Sequence, residues 1–200
     1  MKRAPASCTP GVTRRGFLVS ALLTSGAAAA PGVPAAFART GGGDADVLSY
    51  ALTLEYLEAR FYERGLQRVA QLEPKDREVL TVLGGHEAEH VRILSGLIRR
   101  LGAIPVTEPQ FDFGDAFSSA GRFLEVAQQL EELGVAAYNG AAARIADRGV
   151  LEAVGSIVQV EARHAAAVRL IRNESPTPEA LDRPLARGEV TDRVDPFLAK

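Results

Sequence analysis

Cysteine is almost absent from this 200-residue chain: Cys8 is the only one, so no disulfide can form within it. Cys8 precedes an apolar stretch that reads as removable, which leaves helix packing, metal or association to stabilise the mature polypeptide. A basic excess is lacking as well. Without residues 1–38, which carry Lys2, Arg3, Arg14 and Arg15 and no acid, 19 basic side chains face 25 acidic ones, a net charge near −6. That balance argues against nucleic acid as a partner. There is no long unbroken apolar run either. The stretch that ends at Ala30 is modest in length and is followed by Pro31 and Pro34, which argues against a stable transmembrane helix after processing. Histidine is scarce, three residues in all, and their positions are therefore informative.

The N-terminal segment addresses location. Thr13-Arg14-Arg15-Gly16-Phe17-Leu18 resembles a twin-arginine export motif, and Ala36-Phe37-Ala38 fits small-x-small cleavage. Residues 1–38 are thus expected to be a twin-arginine-type signal peptide and residues 39–44 a linker. The partner this implies is the twin-arginine export machinery, and the destination is periplasmic, cell-wall associated or secreted. An uncleaved N-terminal membrane anchor is the alternative. About 160 remaining residues suit one domain with one core.

Two of the three histidines stand in matched settings. Glu87-Ala88-Glu89-His90 and Glu161-Ala162-Arg163-His164 are two copies of Glu-x-x-His, and each follows a Glu-x6-Tyr, Glu55…Tyr62 and Glu131…Tyr138. On a helix, positions i and i+3 project from one face, so a carboxylate and an imidazole at that spacing grip one ion together. One Glu from each of two helices and Glu-x-x-His from each of the other two is the ligand set of di-iron and di-manganese carboxylate proteins. Four carboxylates also offset the roughly four charges of two divalent ions, which a buried site requires. The candidate metal ligands are Glu55, Glu87, His90, Glu131, Glu161 and His164. Glu58 and Glu132 compete with Glu55 and Glu131, which are preferred for their constant distance to a tyrosine; Glu58, three residues from Glu55, reads as either an extra ligand or a solvent-side acid. Seven residues is nearly two turns, so Tyr62 and Tyr138 share a face with those acids and can hydrogen-bond a ligand carboxylate across the bundle.

Apolar spacing and stop signals predict helices at 45–70, 74–101, 118–147 and 150–172. Asp44 or Asp46 is expected to cap the first, Pro74 to open the second, and Ser118 or Ser119 to cap the third. Asp147-Arg148-Gly149 is expected to break the chain before the fourth. Short connections make two antiparallel hairpins. Residues from Gly102 to about Phe117 show no helical period and, extended, reach ~50 Å, enough for one long crossover between the second and third helices. Phe111, Phe113 and Phe117 are expected to cover the bundle's outside. Residues 173–200 read as an irregular tail, with Pro196-Phe197-Leu198 docking back. Gly84-Gly85 and Gly134 lie one turn from candidate ligands and mark either close helix packing or access for dioxygen or peroxide.

Leu54-Glu55-Tyr56-Leu57-Glu58-Ala59 with Phe61-Tyr62, Glu87-Ala88-Glu89-His90, Phe111-Asp112-Phe113, Glu131 to Tyr138 and Val160-Glu161-Ala162-Arg163-His164 together resemble the ferritin-like superfamily, most closely an exported family that includes desiccation-related proteins. The resemblance spans about residues 45–172. It implies an all-α, antiparallel four-helix bundle with two iron or two manganese ions. The reaction is less defined, because the fold hosts iron oxidation, peroxide reduction, catalase chemistry and non-redox roles. Redox chemistry on dioxygen, peroxide or ferrous iron leads, with a small-molecule oxidant or metal ion as partner. A non-catalytic scaffold of the desiccation or stress response is the alternative. A lesser one is a zinc metalloprotease, since His86-Glu87-Ala88-Glu89-His90 also satisfies His-Glu-x-x-His.

Overall fold

A computed structural model describes residues 43–199; the expected signal peptide and the linker up to residue 42 lie outside them. Four long helices, α1 Asp44–Arg68, α2 Pro74–Arg100, α3 Ala120–Ala142 and α4 Arg148–Ile171, form the bundle. A short α5, Arg187–Val194, follows and runs into a 3-10 turn, Asp195–Phe197. No strand is present among the described residues; Phe111 and Leu198 make a lone antiparallel bridge. No described helix is long and apolar enough to cross a membrane.

The helix ends show what local chemistry decides. Gly43, not an aspartate, is the N-cap of α1. Asp44 instead accepts hydrogen bonds from the backbone N–H groups of Ala146 and Asp147, at 2.8 and 2.7 Å, and so holds the turn between α3 and α4. Pro74 opens α2, where its missing N–H costs nothing. Ser119 caps α3 by accepting from Arg122 N at 3.1 Å. α3 stops at Ala142, five residues before the expected end, because Asp147 caps α4 by accepting from Val150 N. The N–H groups of Ala146 and Asp147 go to Asp44, and the break therefore lies before Asp147. Arg148 and Gly149 belong to the first turn of α4.

α1 packs chiefly on α2 and α3 chiefly on α4, giving two antiparallel hairpins. α1 is buried on most sides; its Ser49 and Thr53 satisfy their hydroxyls by donating to the carbonyls of Ala45 and Ser49. The crossover aromatics do not lie on the outside. Phe111 and Phe113 are buried, and Phe113 and Phe117 join Phe61 and Phe123 in a cluster whose Phe61–Phe123 rings stack 5.0 Å apart. Apolar area is worth more sealed between α1 and α3 than spread over a wet surface.

The tail is not irregular throughout. Leu185 N donates to Ala136 O at 3.0 Å, and Leu185, Val190 and Val194 are buried in the main core. Gly140 permits this approach, since a Cβ there would lie 1.8 Å from Leu185 O. Arg187 reaches the buried Asp46 of α1 at 3.0 Å and covers the Tyr50 ring at 4.8 Å. Asp112 N donates to Phe197 O at 2.9 Å and Ala199 N to Gln110 O at 3.0 Å, so the chain end lies against the crossover. The thirteen residues between α4 and Leu185 and an eight-residue helix carry too few apolar repeats for a helical period to show.

Candidate metal centre

Each long helix contributes to one polar cluster inside the bundle. α1 brings Glu55, Glu58 and Tyr62; α2 brings Glu87 and His90; α3 brings Glu131 and Tyr138; α4 brings Glu161 and His164. None of these residues is more than 5 % exposed. Helices of 23 to 27 residues, paired head to tail with the acids near mid-length, put the four levels together.

The donor atoms fall into two overlapping sets. Glu55, Glu87, His90 and Glu161 present ligand atoms all within 4.8 Å of one another, and so do Glu87, Glu131, Glu161 and His164. Glu87 and Glu161 belong to both. His90 Nδ1 lies 3.2, 3.1 and 3.0 Å from carboxylate oxygens of Glu55, Glu87 and Glu161. His164 Nδ1 lies 2.7 Å from Glu87 Oε1 and 3.4 Å from Glu131 Oε2, yet neither contact has hydrogen-bond geometry. Glu87 Oε1, Glu131 Oε2, both Glu161 carboxylate oxygens and Glu58 Oε2 are buried without a hydrogen-bond partner. One imidazole N–H serves at most one or two acceptors well, so these atoms converge on common points without satisfying each other. Buried polar atoms left in that state are expected where an ion sits among them. The buried carboxylate and imidazole set is compatible with a metal site.

The tyrosines cross between hairpins. Tyr62 of α1 donates to Glu131 Oε1 of α3 at 2.5 Å, and Tyr138 of α3 donates to Glu55 Oε1 of α1. Burial and the neighbouring carboxylates push both phenols well above their usual range, so they remain donors.

So many acids cannot all ionise in a dry interior without cations. Burial raises Glu55 to about 7, against the pull of His90, and burial with the other carboxylates pushes Glu58 and Glu161 well above the usual range. Burial raises Glu131 too. Glu87 goes the other way: burial opposes its charge, but His164 and His90 outweigh burial and bring it to about 2. Burial alone would depress both imidazoles. Glu161, Glu55 and Glu87 nonetheless raise His90 to about 12, and Glu131 and Glu87 raise His164 to about 10. The metal-free cluster therefore holds protons where ions would bring positive charge.

Three neighbours depart from the simplest reading of the motifs. Glu132 turns away: its side chain is 39 % exposed and pairs with Arg169 at 2.8 Å. Glu58 is no solvent-side acid, being buried beside Glu161. His86 is exposed but not remote, for its Nδ1 lies 2.9 Å from His164 Nε2 and the rings stack with centroids 5.2 Å apart. His86 joins neither donor set, while Glu87 joins both. Two of the three glycines, Gly84 and Gly134, stand at close contacts. A Cβ on Gly84 would lie 2.8 Å from Tyr62 Cβ, one on Gly134 would meet Glu58 and Glu161, and Gly85 faces nothing within 4 Å. The His86 contact and the Glu58 burial carry no unambiguous signal in sequence, although Glu58 shares the face of Glu55 at i+3.

A family model described as a ferritin-like domain matches residues 43–174, which take in all four long helices and every donor above. No curated protein matches the chain.

Proposed function

The chain belongs to the ferritin-like domain family, and from that premise we propose that it holds a dinuclear iron or manganese carboxylate centre and performs redox chemistry on dioxygen, peroxide or ferrous iron. The observation that carries the reading is the pair of overlapping donor sets sharing Glu87 and Glu161. Glu87 and Glu161 would bridge the two ions. Glu55 and His90 would complete one position, Glu131 and His164 the other. A bound pair of such ions supplies change between the +2 and +3 states and an open coordination position.

The chain's own residues do the rest. Tyr62 and Tyr138 hold Glu131 and Glu55 in fixed rotamers. The apolar cluster around Phe61 and Phe123 keeps bulk water from one end of the site. His86, in contact with His164 and with solvent, sits where a small oxidant or a proton would pass between the surface and the buried acids. Export through the twin-arginine route completes the proposal, supported by the motif at residues 13–18 and the small-x-small sequence at 36–38; a role in stress protection would follow from the redox chemistry alone.

The test is reconstitution with Fe(II) and Mn(II), elemental analysis for two ions per chain, and measurement of oxygen or peroxide consumption. Turnover that disappears in Glu161→Ala supports the redox reading. Two bound ions with no turnover under either metal leave a metal-stabilised scaffold in its place. Export is checked separately, by N-terminal sequencing of the protein recovered from its host: a mature chain starting at Met1 would end that part of the proposal.

A further inference from the structure

The repeat that relates the two hairpins is broken at one point inside the site. Three residues after Glu55 stands Glu58, whereas three residues after Glu131 stands Gly134. The two positions face each other. A Cβ built on Gly134 would lie 3.0 Å from Glu58 Oε1 and 3.2 Å from Glu161 Oε2. α3 thus gives up a side chain, and α1 fills the space with a carboxylate next to a member of both donor sets. Glu58 is only 2 % exposed, its Oε2 has no hydrogen-bond partner, and no ion pair to it is found among the described residues. Burying an acid in that condition is costly. A space opposite Gly134 that needed only filling would take an alkyl side chain at no such cost.

We propose that Glu58 is a seventh donor of the dinuclear centre, a fifth carboxylate supplied from one hairpin only, which makes the two ion positions unequal in charge and ligand number. The inference rests on the centre proposed above. Glutamine separates it from the plain alternative, a Glu58 that keeps its proton and serves as packing. Glu58→Gln preserves size and a neutral polar head but removes the anionic donor.

The experiment titrates Mn(II) into the wild-type chain, Glu58→Gln and the surface control Glu132→Gln, by calorimetry and by electron paramagnetic resonance, with helical circular dichroism of each metal-free protein. Two ions bound by the wild type and by Glu132→Gln, with one of the two held at least about tenfold more weakly in a helical Glu58→Gln, is the expected result. Matching affinities and spectra for wild type and Glu58→Gln overturn the Glu58 assignment and leave the dinuclear centre standing. A wild type that binds no manganese or iron overturns both. Should Glu58→Gln not fold, manganese-soaked wild-type crystals decide: an anomalous peak within about 2.5 Å of a Glu58 oxygen supports the assignment, and any longer distance to both peaks overturns it.

Discussion

A tyrosine hydroxyl that reaches from one hairpin to a buried carboxylate of the other fixes the direction of that carboxylate. Tyr62→Phe and Tyr138→Phe leave the ring packing intact and free Glu131 or Glu55 to rotate. Each is expected to weaken metal binding by about 10- to 100-fold with little loss of fold, as read by metal titration beside a thermal melt. Protonation gives a second prediction at this scale. His90, raised to about 12, and His164, raised to about 10, carry protons in the metal-free protein, and Glu55, raised to about 7, is partly protonated near neutrality. An ion must displace those protons, so affinity rises with pH up to about 10 and binding releases protons throughout that range, the window between about pH 6 and 8 included. Calorimetry in two buffers of different ionisation enthalpy measures the release; none in that window would contradict the prediction. The six candidate ligands are legible in sequence because i, i+3 spacing and a fixed distance to tyrosine are local rules. Glu58 is ambiguous there because its role depends on Gly134, seventy-six positions away and on another helix.

Helices whose apolar residues recur regularly announce themselves, and α1, α2 and α4 run within about two residues of where periodicity and caps put them. The end of α3 does not follow from its own residues. It is set by Asp44, a residue of α1 that takes the N–H groups of Ala146 and Asp147. The docked tail is hidden for a similar reason, since its backbone hydrogen bonds, its ion pair and its few buried apolar side chains all have partners remote in the chain. The crossover aromatics were placed by length but not by depth, because reach fixes the path of a connection and not which side chains turn inward. Gly140 gives the test at this level. Its Cβ would collide with the Leu185 carbonyl, so Gly140→Ala should displace the tail from α3 at a cost of about 1–3 kcal/mol. Urea denaturation reads the loss, and limited proteolysis should show new cleavage between residues 173 and 186. A variant as stable and as protease-resistant as the parent would refute the packing role.

For the molecule as a whole, four helices surround a cluster of acids that burial keeps protonated in the metal-free protein and whose charge bound cations would offset in the proposed centre. Metal should therefore act as a ligand of the folded state. With ions at about a hundred times their dissociation constant, stabilisation of about 2.7 kcal/mol per site is expected, and chelation should lower the melting temperature by several degrees. A melt unchanged by chelator, in protein shown by elemental analysis to have carried metal, would contradict this. The Asp46–Arg187 contact bears on timing. Arg187 binds an acid that was made 141 positions earlier. Until Arg187 has left the ribosomal exit tunnel, that clasp cannot close. The pairing of the four long helices and the fastening of the stretch behind them are therefore separate events.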